Sequence, residues 1–367
     1  MAVPATKIPL FDPQSVLAPL RGELEERMRE VLDSGRYVLG PQVQAFEQEL
    51  AEYLGVRHVV GVGNGTDAIS IALRAMGVGP GDEVVVPSFT FYASAEAIPP
   101  TGASPVFCDI DLDTFCITAE TVERALTPRT KAVLAVDLFG NPAPSLEIEA
   151  LGVPVLEDAA QALGSTLMGR KAGSLGRAAT FSFYPSKNLG AFGDAGAVAT
   201  DDDGIADEVR SLRSHGSRDK VTFGALGFNT RLDEIQAGLL RVLLPHLDEW
   251  CDGRRRGAQL YGEAGVGGLV DEPHPVSDAD PAWHLYVVSS ERADALVETL
   301  NEAGVESRAY YRTPVHRQEP MSGFAKGVEL PATEEASRTN FALPIGPTLG
   351  EEQVSRVVEV LRTASSS

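Results

Sequence analysis

Lys187 is the side chain in this sequence with the clearest capacity for covalent chemistry. It follows the apolar run Ala179–Phe183 and stands among aromatic and small residues. Partial burial in such surroundings would lower the pKa of its amine and favour a Schiff base with an aldehyde. The small residues from Ala191 onward allow a flat ligand to approach closely, and Ser182 offers a hydroxyl to a phosphate. A lone lysine is more often a solvated surface charge, so the segments around it decide the interpretation.

A glycine-rich turn is the second segment that could hold a ligand. The apolar run Val59–Gly63 leads through Gly65 and Thr66 into a helical pattern. Backbone N–H groups at such a helix start attract a phosphate, aided by the helix dipole. The turn lacks the third glycine of the dinucleotide-binding fingerprint, which disfavours an NAD-dependent oxidoreductase. A tight strand–helix connection without a ligand fits the same residues.

Asp158 is the third element, at the carboxyl end of the apolar run Val153–Glu157. Ligands collect at that end of the strands in open α/β sheets. The carboxylate could pair with a protonated ring nitrogen and Gln161 could reach a neighbouring ring oxygen, although a helix N-cap would use Asp158 equally well. Phe91 could supply an aromatic face for the ring or pack in the core. Together these groups meet the needs of pyridoxal phosphate.

Short apolar runs alternate with helical patterns over the first two-thirds of the chain. Seven runs bounded by Gly, Pro or Asp are predicted strands: Val59–Gly63, Glu83–Pro87, Pro105–Asp109, Ala132–Leu138, Val153–Glu157, Ala178–Tyr184 and Ala195–Thr200. The predicted helices are Thr66–Met76, Phe89–Ile98, Ala119–Leu126, Asp201–Ser214 and Arg231–Asp252. Strands that are apolar on both faces and alternate with helices indicate an α/β fold with a mostly parallel sheet covered by helices on both faces.

The composition changes after about Trp250, where Gly253–Pro281 is rich in Gly, Asp and Pro and is predicted to be a linker or irregular hinge. The elements predicted beyond it are a strand at His284–Ser289 and helices at Ala293–Ala303 and Glu351–Arg362. They indicate a smaller α/β unit with a frayed tail. We therefore predict a large cofactor-binding domain over residues 1–250, with an N-terminal helical segment, and a small C-terminal domain over residues 251–367.

The charge balance argues against several classes of partner. Thirty-one Lys and Arg against 52 Asp and Glu give a formal charge of −21. Such a chain is a poor binder of nucleic acid or anionic membranes, and an anionic substrate would need a local arginine cluster. The three cysteines have no paired CxxC spacing and are too few for a disulfide framework, which suits a reducing cytoplasm. No metal site, signal peptide or membrane span is predicted.

Four motifs occur in the order found in one family. They are Gly63–Ala68, Glu157–Gln161, Phe181–Asn188 and Asn229–Glu234. On these residues the sequence resembles the DegT-like nucleotide-sugar aminotransferases, which belong to the fold type I pyridoxal phosphate enzymes (the aspartate aminotransferase superfamily). The resemblance runs from Ser34–Pro41 to the final helix. It implies the fold type I architecture for the large domain, followed by a smaller C-terminal α/β domain.

The resemblance implies catalytic roles for Lys187 and Asp158. Lys187 would form the Schiff base with the cofactor and then move a proton between substrate and cofactor, while Asp158 would keep the pyridine nitrogen protonated. The implied cofactor-binding residues are Gly65, Thr66, Phe91, Asp158, Gln161, Ser182, Lys187 and Asn229. In the family, an asparagine matching Asn229 reaches the phosphate from the other subunit, which implies a homodimer with active sites at the interface. From the residues alone, Asn229 suits an N-cap of the following helix equally well.

The implied reaction moves an amino group from L-glutamate to a keto group of a deoxysugar linked to dTDP or UDP. Lys187–Ala197 resembles the branch of the family that aminates C3, whereas members acting at C4 more often carry a Thr-rich stretch ending in Glu-Gly-Gly. A C4 aminotransferase therefore stays open as an alternative. A sugar dehydratase that uses the same cofactor is a second alternative, although that branch of the family has histidine in place of Lys187. A non-enzymatic regulator of the same fold is a third.

The sugar end of the site is predicted from fewer residues. The segment Tyr310–His316 matches a family segment at the active-site mouth, although Arg312 departs from the small or proline residue expected there. Arg231, Arg308 and Arg312 could supply the positive charge that an anionic substrate needs, or remain solvated. The substrate-binding candidates are Tyr184, Arg231, Tyr311 and His316.

Overall fold

The computed structural model describes residues 7–365. Its helices are α1 (Gln14–Leu17), α2 (Arg21–Ser34), α3 (Pro41–Leu54), α4 (Gly65–Ala75), α5 (Tyr92–Glu96), α6 (Ala119–Ala125), α7 (Ser145–Glu149), α8 (Asp203–Leu212), α9 (Glu234–Leu243), α10 (Leu247–Glu263), α11 (Ala293–Glu302), α12 (Pro331–Thr339) and α13 (Glu351–Ser365). Its strands are β1 (His58–Val62), β2 (Glu83–Pro87), β3 (Ser104–Cys108), β4 (Thr130–Val136), β5 (Val155–Asp158), β6 (Thr166–Leu167), β7 (Arg170–Lys171), β8 (Ala178–Ser182), β9 (Gly196–Thr200), β10 (Ala279–Asp280), β11 (Tyr286–Ser289) and β12 (Asn340–Leu343).

Seven strands form one central sheet in the order β1-β9-β8-β5-β4-β2-β3. Neighbouring strands from β3 to β8 run parallel, and β9 runs antiparallel to both β8 and β1. The predicted mostly parallel sheet is therefore confirmed, with β9 reversed. All seven strands were predicted from the sequence to within about two residues, because each is a short apolar run between turn residues.

Helices cover both faces of this sheet. On one face, Phe46 of α3 and Leu240 of α9 belong to the apolar cluster that also contains Val59 of β1. On the other face, Ile71 of α4 packs in the cluster that contains Val60. Consecutive residues of β1 thus enter opposite clusters, as the alternation of side chains along a strand requires.

Two predicted helices differ from the structure. The helix predicted over Phe89–Ile98 is shorter, because Phe91 keeps an extended backbone (φ −66°, ψ 140°) and α5 begins only after it. The helix predicted over Arg231–Asp252 is interrupted by a 3₁₀ turn at Leu244–His246. Pro245 in this turn has no N–H to continue the α-helical hydrogen bonds, so α9 ends and α10 begins anew.

The predicted linker Gly253–Pro281 was wrong in its first part, since α10 continues to Glu263. Gly253 lies where the chain before α13 crosses this helix, and a Cβ there would come within 2.1 Å of the Pro347 carbonyl oxygen. The glycine that suggested a flexible linker instead permits a close contact between helix and loop. The predicted boundary between residues 250 and 251 falls inside α10, and the division into two domains stays a prediction.

Strands β11 and β12 pair antiparallel and pack with α11 and α13 around a separate apolar cluster. Leu285 and Ala342 from this region join Val85 and Val133 of the central sheet in a shared cluster, which brings the two regions together near the candidate site. Helix α13 continues to Ser365, so the start of the tail predicted to fray is helical, and residues 366–367 lie outside the described range. Between residues 7 and 365, no helix is both long and apolar enough to cross a membrane.

Candidate active site

A cavity of about 600 Å³ opens at the carboxyl edge of the central sheet. Several parallel strands end at this edge, so side chains that follow different strands meet there. Nine of the residues predicted from the sequence line the cavity: Gly65, Thr66, Phe91, Asp158, Gln161, Ser182, Tyr184, Lys187 and Tyr311.

The start of α4 forms one wall of the cavity. Asn64 Oδ1 accepts the N–H of Asp67 at 2.8 Å and so caps the helix. Within residues 7–365, the N–H groups of Gly65 and Thr66 meet no hydrogen-bond acceptor. A Cβ on Gly65 would lie 2.8 Å from Ser182 Cβ, so glycine is needed where helix and strand end meet. Two free amides at a helix N-terminus beside the Ser182 hydroxyl have the chemistry that a phosphate requires.

Lys187 lies in the turn that follows β8 and lines the cavity. Burial lowers the pKa of its amine to about 8, against the opposing attraction of Asp158. The turn is held by the Lys187 N–H, which donates to the Tyr184 carbonyl oxygen at 2.8 Å. Because part of the amine is unprotonated near neutral pH, Lys187 can act as a nucleophile towards an aldehyde.

Asp158 is the last residue of β5 and is 5% exposed. Ser94 Oγ donates to its Oδ2 at 2.8 Å, and the Ala160 N–H donates to its Oδ1 at 3.3 Å. Burial raises the pKa of Asp158, while the two donors and the Lys187 charge act in the opposite direction. No α-helix follows before β6, so the alternative role of Asp158 as a helix N-cap is wrong.

Two more buried carboxyl groups lie behind Asp158. Glu157 accepts the N–H groups of Gly173 at 2.6 Å and Leu175 at 2.9 Å, and Asp137 Oδ1 accepts that of Ala143 at 2.8 Å. Burial and the neighbouring Glu157 charge raise the pKa of Asp137 well above its usual range. The raised pKa favours the protonated form of Asp137, which can donate to Glu157 and so limits the negative charge under Asp158.

Phe91 and Tyr311 form an aromatic side of the cavity, with ring centroids 6.1 Å apart. Phe91 is 53% exposed, so its alternative role as a core aromatic is wrong. Gln161 Nε2 donates to Tyr311 Oη at 3.3 Å, and its Oε1 accepts the Phe139 N–H at 2.8 Å. The Gln161 amide is thereby fixed, with a second N–H remaining for a ligand.

The lining residues that were not predicted from the sequence include Ser94, Asp194 and His284. His284 is 4% exposed, and its Nδ1 lies 3.4 Å from Asn188 Oδ1. Burial and two neighbouring cations, Lys187 and Arg254, keep the pKa of His284 well below its usual range, so the imidazole is neutral. No local pattern marks His284 as a site residue, because only the packing of distant segments brings it to Lys187.

Arg308 is an exposed cation that lines the cavity. Its guanidinium carbon lies 4.9 Å from the centre of the Tyr310 ring and 5.8 Å from that of Phe11, and its Nε donates to Tyr310 Oη at 2.6 Å. Arg312, by contrast, pairs with Asp294 and lies outside the lining. Of the three arginines considered as local positive charges, Arg308 alone lines this cavity.

His316 lies outside the cavity lining, although the sequence predicted it as a substrate contact. It is 3% exposed, with Nδ1 2.7 Å from Ser88 Oγ and Nε2 3.0 Å from Glu334 Oε1. Burial lowers its pKa against the attraction of Glu334. Through Ser88, His316 connects the segment after Tyr311 to the end of β2.

Asn229 and Arg231 also lie outside the lining. Arg231 donates to Asn229 Oδ1, and α9 begins only at Glu234, so Asn229 does not cap that helix. Asn229 is exposed and follows a loop with exposed apolar side chains at Val221, Phe223 and Leu226. Within one chain neither residue contributes to the cavity.

The cavity residues fit pyridoxal phosphate in kind and placement. The free amides of Gly65 and Thr66 suit its phosphate, and the buried Asp158 carboxylate suits a protonated ring nitrogen. The Lys187 amine lines the same space and suits its aldehyde.

Comparisons with known proteins agree with this geometry. The model of the DegT/DnrJ/EryC1/StrS aminotransferase family matches residues 19–362. The dTDP-3-amino-3,4,6-trideoxy-alpha-D-glucose transaminase of Streptomyces venezuelae is 44% identical over 97% of this chain and 96% of that protein. The UDP-N-acetyl-3-dehydro-alpha-D-glucosamine 3-aminotransferase of Acidithiobacillus ferrooxidans is 42% identical over 97% of this chain and 98% of that protein.

A solved structure matches the whole fold. The crystal structure of S. venezuelae DesV in complex with a ketimine intermediate superposes with a TM-score of 0.95 and is 42% identical, covering 99% of this chain and 100% of that one. The predicted fold type I architecture is thereby confirmed. The chain belongs to the DegT/DnrJ/EryC1/StrS aminotransferase family.

Proposed function

We propose that this chain uses pyridoxal phosphate to transfer the amino group of L-glutamate to the C3 keto group of a nucleotide-linked deoxysugar. One observation carries this assignment: an amine of lowered pKa, Lys187, shares a cavity with the buried Asp158 and the free amides of α4. Membership of an aminotransferase family agrees with it.

Four groups of this chain would bind and orient the cofactor. The amides of Gly65 and Thr66, with the Ser182 hydroxyl, would hold the phosphate. Asp158, fixed by Ser94, would accept the hydrogen bond of the ring nitrogen. The remaining N–H of Gln161 would reach the ring oxygen, and Phe91 would cover a face of the ring.

Lys187 Nζ would move the proton in both half-reactions. Bound pyridoxal phosphate supplies an electron sink for the carbon that loses its proton. The lowered pKa of Lys187, about 8, lets its amine take a proton from the amino donor and return one to the keto sugar near neutral pH. Asp158 stays in place through its two donors and holds the opposing charge.

The choice of C3 and of the nucleotide sugar rests on the relatives. Two proteins at 44% and 42% identity over nearly the whole chain are named for 3-amino sugars, one linked to dTDP and one to UDP. The segment Lys187–Ala197, which was the reason to favour C3 from the sequence, includes the lining residue Asp194. Amination at C4 is the alternative outcome of the test below.

A homodimer is part of this proposal. Val221, Phe223 and Leu226 are 80%, 62% and 86% exposed in a loop ordered by the Asp219 carboxylate, which accepts the N–H groups of Val221 and Thr222. An ordered, exposed apolar patch favours a protein contact. A second copy seated on it would cover the patch and bring its Asn229 towards the phosphate end of the neighbouring cavity. The three buried free cysteines suit the cytoplasm as the compartment.

An isotope-transfer experiment tests this function. Protein loaded with pyridoxal phosphate receives ¹⁵N-labelled L-glutamate and a dTDP- or UDP-linked sugar with its keto group at C3 or at C4. We expect formation of 2-oxoglutarate and ¹⁵N at C3 of the sugar, with initial-rate lines that are parallel, as ping-pong transfer requires. Label at C4 would overturn the regiochemistry, and no 2-oxoglutarate with any of the sugars would overturn the aminotransferase assignment.

A further inference from the structure

A second cavity, of about 310 Å³, adjoins the first. Phe11, Tyr184, Ser186 and Lys187 line both, so the two spaces meet at the lysine. The second cavity is otherwise bounded by α1, by α10 and by the chain between β12 and α13. It therefore reaches Lys187 from a different side than the cavity with the phosphate site.

Arg254 of α10 lines this second cavity and is 8% exposed. Its Nη1 donates to two backbone carbonyls, those of Trp283 at 3.2 Å and His284 at 3.4 Å. Its Nε is buried and has no hydrogen-bond partner within residues 7–365. Burial lowers the pKa of Arg254 to about 10, so the guanidinium is still charged at neutral pH.

A second buried arginine shows what is missing at Arg254. Arg213 is also 8% exposed, but its Nη1 lies 2.6 Å from Glu47 Oε1 and also donates to the Gly61 carbonyl oxygen. For Arg254, no carboxylate in the described part of the chain lies within ion-pair distance. The charge of Arg213 is therefore neutralised by Glu47, whereas the charge of Arg254 is not neutralised by a carboxylate in the described part of the chain.

The groups around Arg254 do not compensate its charge. His284 is neutral, since its pKa is held well below the usual range, and burial raises the pKa of the Cys251 thiol to about 11. Asp12 lines the same cavity, but it is exposed and its Oδ1 caps the Ser15 N–H at 3.3 Å. A buried charge without a counter-ion is strongly unfavourable, so an anion that enters the cavity would find a strong binding partner.

We propose that Arg254 binds a carboxylate of the amino donor in this second cavity, beside Lys187. The proposal rests on the proposed aminotransferase function and adds the residue that recognises the donor. A guanidinium fork matches a carboxylate in shape and charge. A cavity of about 310 Å³ suits a short dicarboxylate, whereas a nucleotide sugar needs the larger space next to it. The amino donor and the nucleotide sugar would then share Lys187, while their anionic groups bind at separate sites.

Arg254→Gln is the first test, with Arg255→Gln as the matched control on the same helix. Arg255 pairs with Asp252 and Asp280 and does not line either cavity. We expect KM for L-glutamate to rise at least about 30-fold in Arg254→Gln, with KM for the keto sugar within about 2-fold of wild type. The control should change neither. A sugar KM that rises instead would assign Arg254 to the nucleotide sugar and overturn the proposal.

Gly346→Leu separates loss of the site from loss of folding. Gly346 lines the second cavity, and a Cβ there would meet no atom within 4 Å, so the hydrogen bonds of Arg254 stay intact. Filling this space should weaken the binding of 2-oxoglutarate, measured by calorimetry, at least about 10-fold without lowering Tm. Unchanged binding in both Gly346→Leu and Arg254→Gln would overturn the proposal.

The same measurements distinguish this proposal from the proposed function. Wild type that forms no 2-oxoglutarate from L-glutamate would overturn the function, and calorimetry with 2-oxoglutarate would still show whether Arg254 binds a dicarboxylate. Wild type that forms 2-oxoglutarate, with the KM of Arg254→Gln unchanged, would overturn only the role of Arg254. Inorganic phosphate that binds the cavity more tightly than 2-oxoglutarate would show that Arg254 selects a different anion.

Discussion

The carboxyl edge of the central sheet and the segment 215–231 differ in where their polar side chains lie: in a cavity in the first region, and on the exposed surface in the second. At the sheet edge, Asp158 and Ser182 end β5 and β8, and Lys187 follows within the next turn, so one chain assembles the cavity by itself. In the segment 215–231, Asn229 is exposed and follows the apolar side chains of Val221, Phe223 and Leu226, which are exposed in the part of the chain that the structure describes. One chain lines the cavity of the first region, whereas the second region exposes apolar side chains that, in our proposal, a second copy covers.

The physical difference lies in what holds each region. The carboxylates at the sheet edge are buried, and each is fixed by donors from its own chain. The loop is ordered by its own turn, with Asp219 at its centre, and leaves Phe223 and Leu226 in solvent. Burying apolar side chains of this size is favourable, and for exposed ones this requires another surface that removes them from water. Changes at the sheet edge should therefore affect chemistry, and changes in the loop should affect assembly.

Lys187→Ala should have the largest effect. We expect the rate of 2-oxoglutarate formation to fall at least about 10⁴-fold, because no other amine replaces the nucleophile and proton carrier. Lys171→Ala is the control, since that amine lies 3.7 Å from the centre of the Tyr53 ring and outside the cavity. Mass spectrometry after borohydride reduction should show cofactor attached to wild type and to the control. Cofactor attached to Lys187→Ala would contradict the assignment.

Asp158→Asn should have the next largest effect. The amide keeps the size of the side chain but cannot hold the positive charge on the ring nitrogen, so we expect kcat to fall about 10²–10³-fold. The exposed Asp33→Asn is the control. Circular dichroism and Tm should stay close to wild type in both variants. A kcat within 3-fold of wild type would show that Asp158 is not the partner of the ring.

Leu226→Asp tests the other region. A charge at the centre of a buried contact is costly, so we expect the dissociation constant of the dimer, measured by sedimentation, to rise about 30-fold or more. Leu112→Asp is the control, because Leu112 is 37% exposed and lies far from this loop in the sequence. Cofactor affinity should fall only under conditions in which Leu226→Asp is monomeric. A wild-type monomer that is fully active at low concentration would contradict the distinction between the two regions.

The pH dependence of cofactor capture should be smaller in size. With the pKa of Lys187 near 8, the unprotonated fraction of the amine rises about 10-fold between pH 7 and pH 9. The rate at which apoprotein captures pyridoxal phosphate, followed by absorbance, should rise by the same factor with a midpoint near pH 8. A midpoint near the usual lysine value would show that Lys187 is not desolvated.

Asp137→Asn should have the smallest effect, and it concerns stability. Because the pKa of Asp137 is raised in the folded state, that state binds more protons than the unfolded one, and the free energy of unfolding falls as pH rises through this window. An amide can still donate to Glu157 and does not titrate. We expect urea unfolding to show a loss of stability as the pH rises above the ordinary aspartate value of about 4, and this loss should be smaller in the variant. The exposed Glu147→Gln should keep the wild-type slope.

Most of the fold and much of the candidate site were accessible from the sequence because their signals are local. Each strand of the central sheet is a short apolar run bounded by turn residues. Asp158 and Lys187 directly follow such runs, and parallel strands end at a common edge. Two predictions were wrong. The helix predicted over Arg231–Asp252 is interrupted at Pro245, and the start of the predicted linker is helical because Gly253 permits a close contact instead of providing flexibility.

The sequence alone was sufficient to predict the strands, the glycine-rich turn, and the positions of Asp158 and Lys187 at strand ends. For each of these, the adjacent residues in the chain carry the signal. Only the tertiary structure placed His284 beside Lys187, left Arg254 without a carboxylate and removed His316 from the cavity. These are properties of segments that are distant in sequence. Burial and electrostatic pairing depend on which segments pack together, and no local pattern of residue types contains that information.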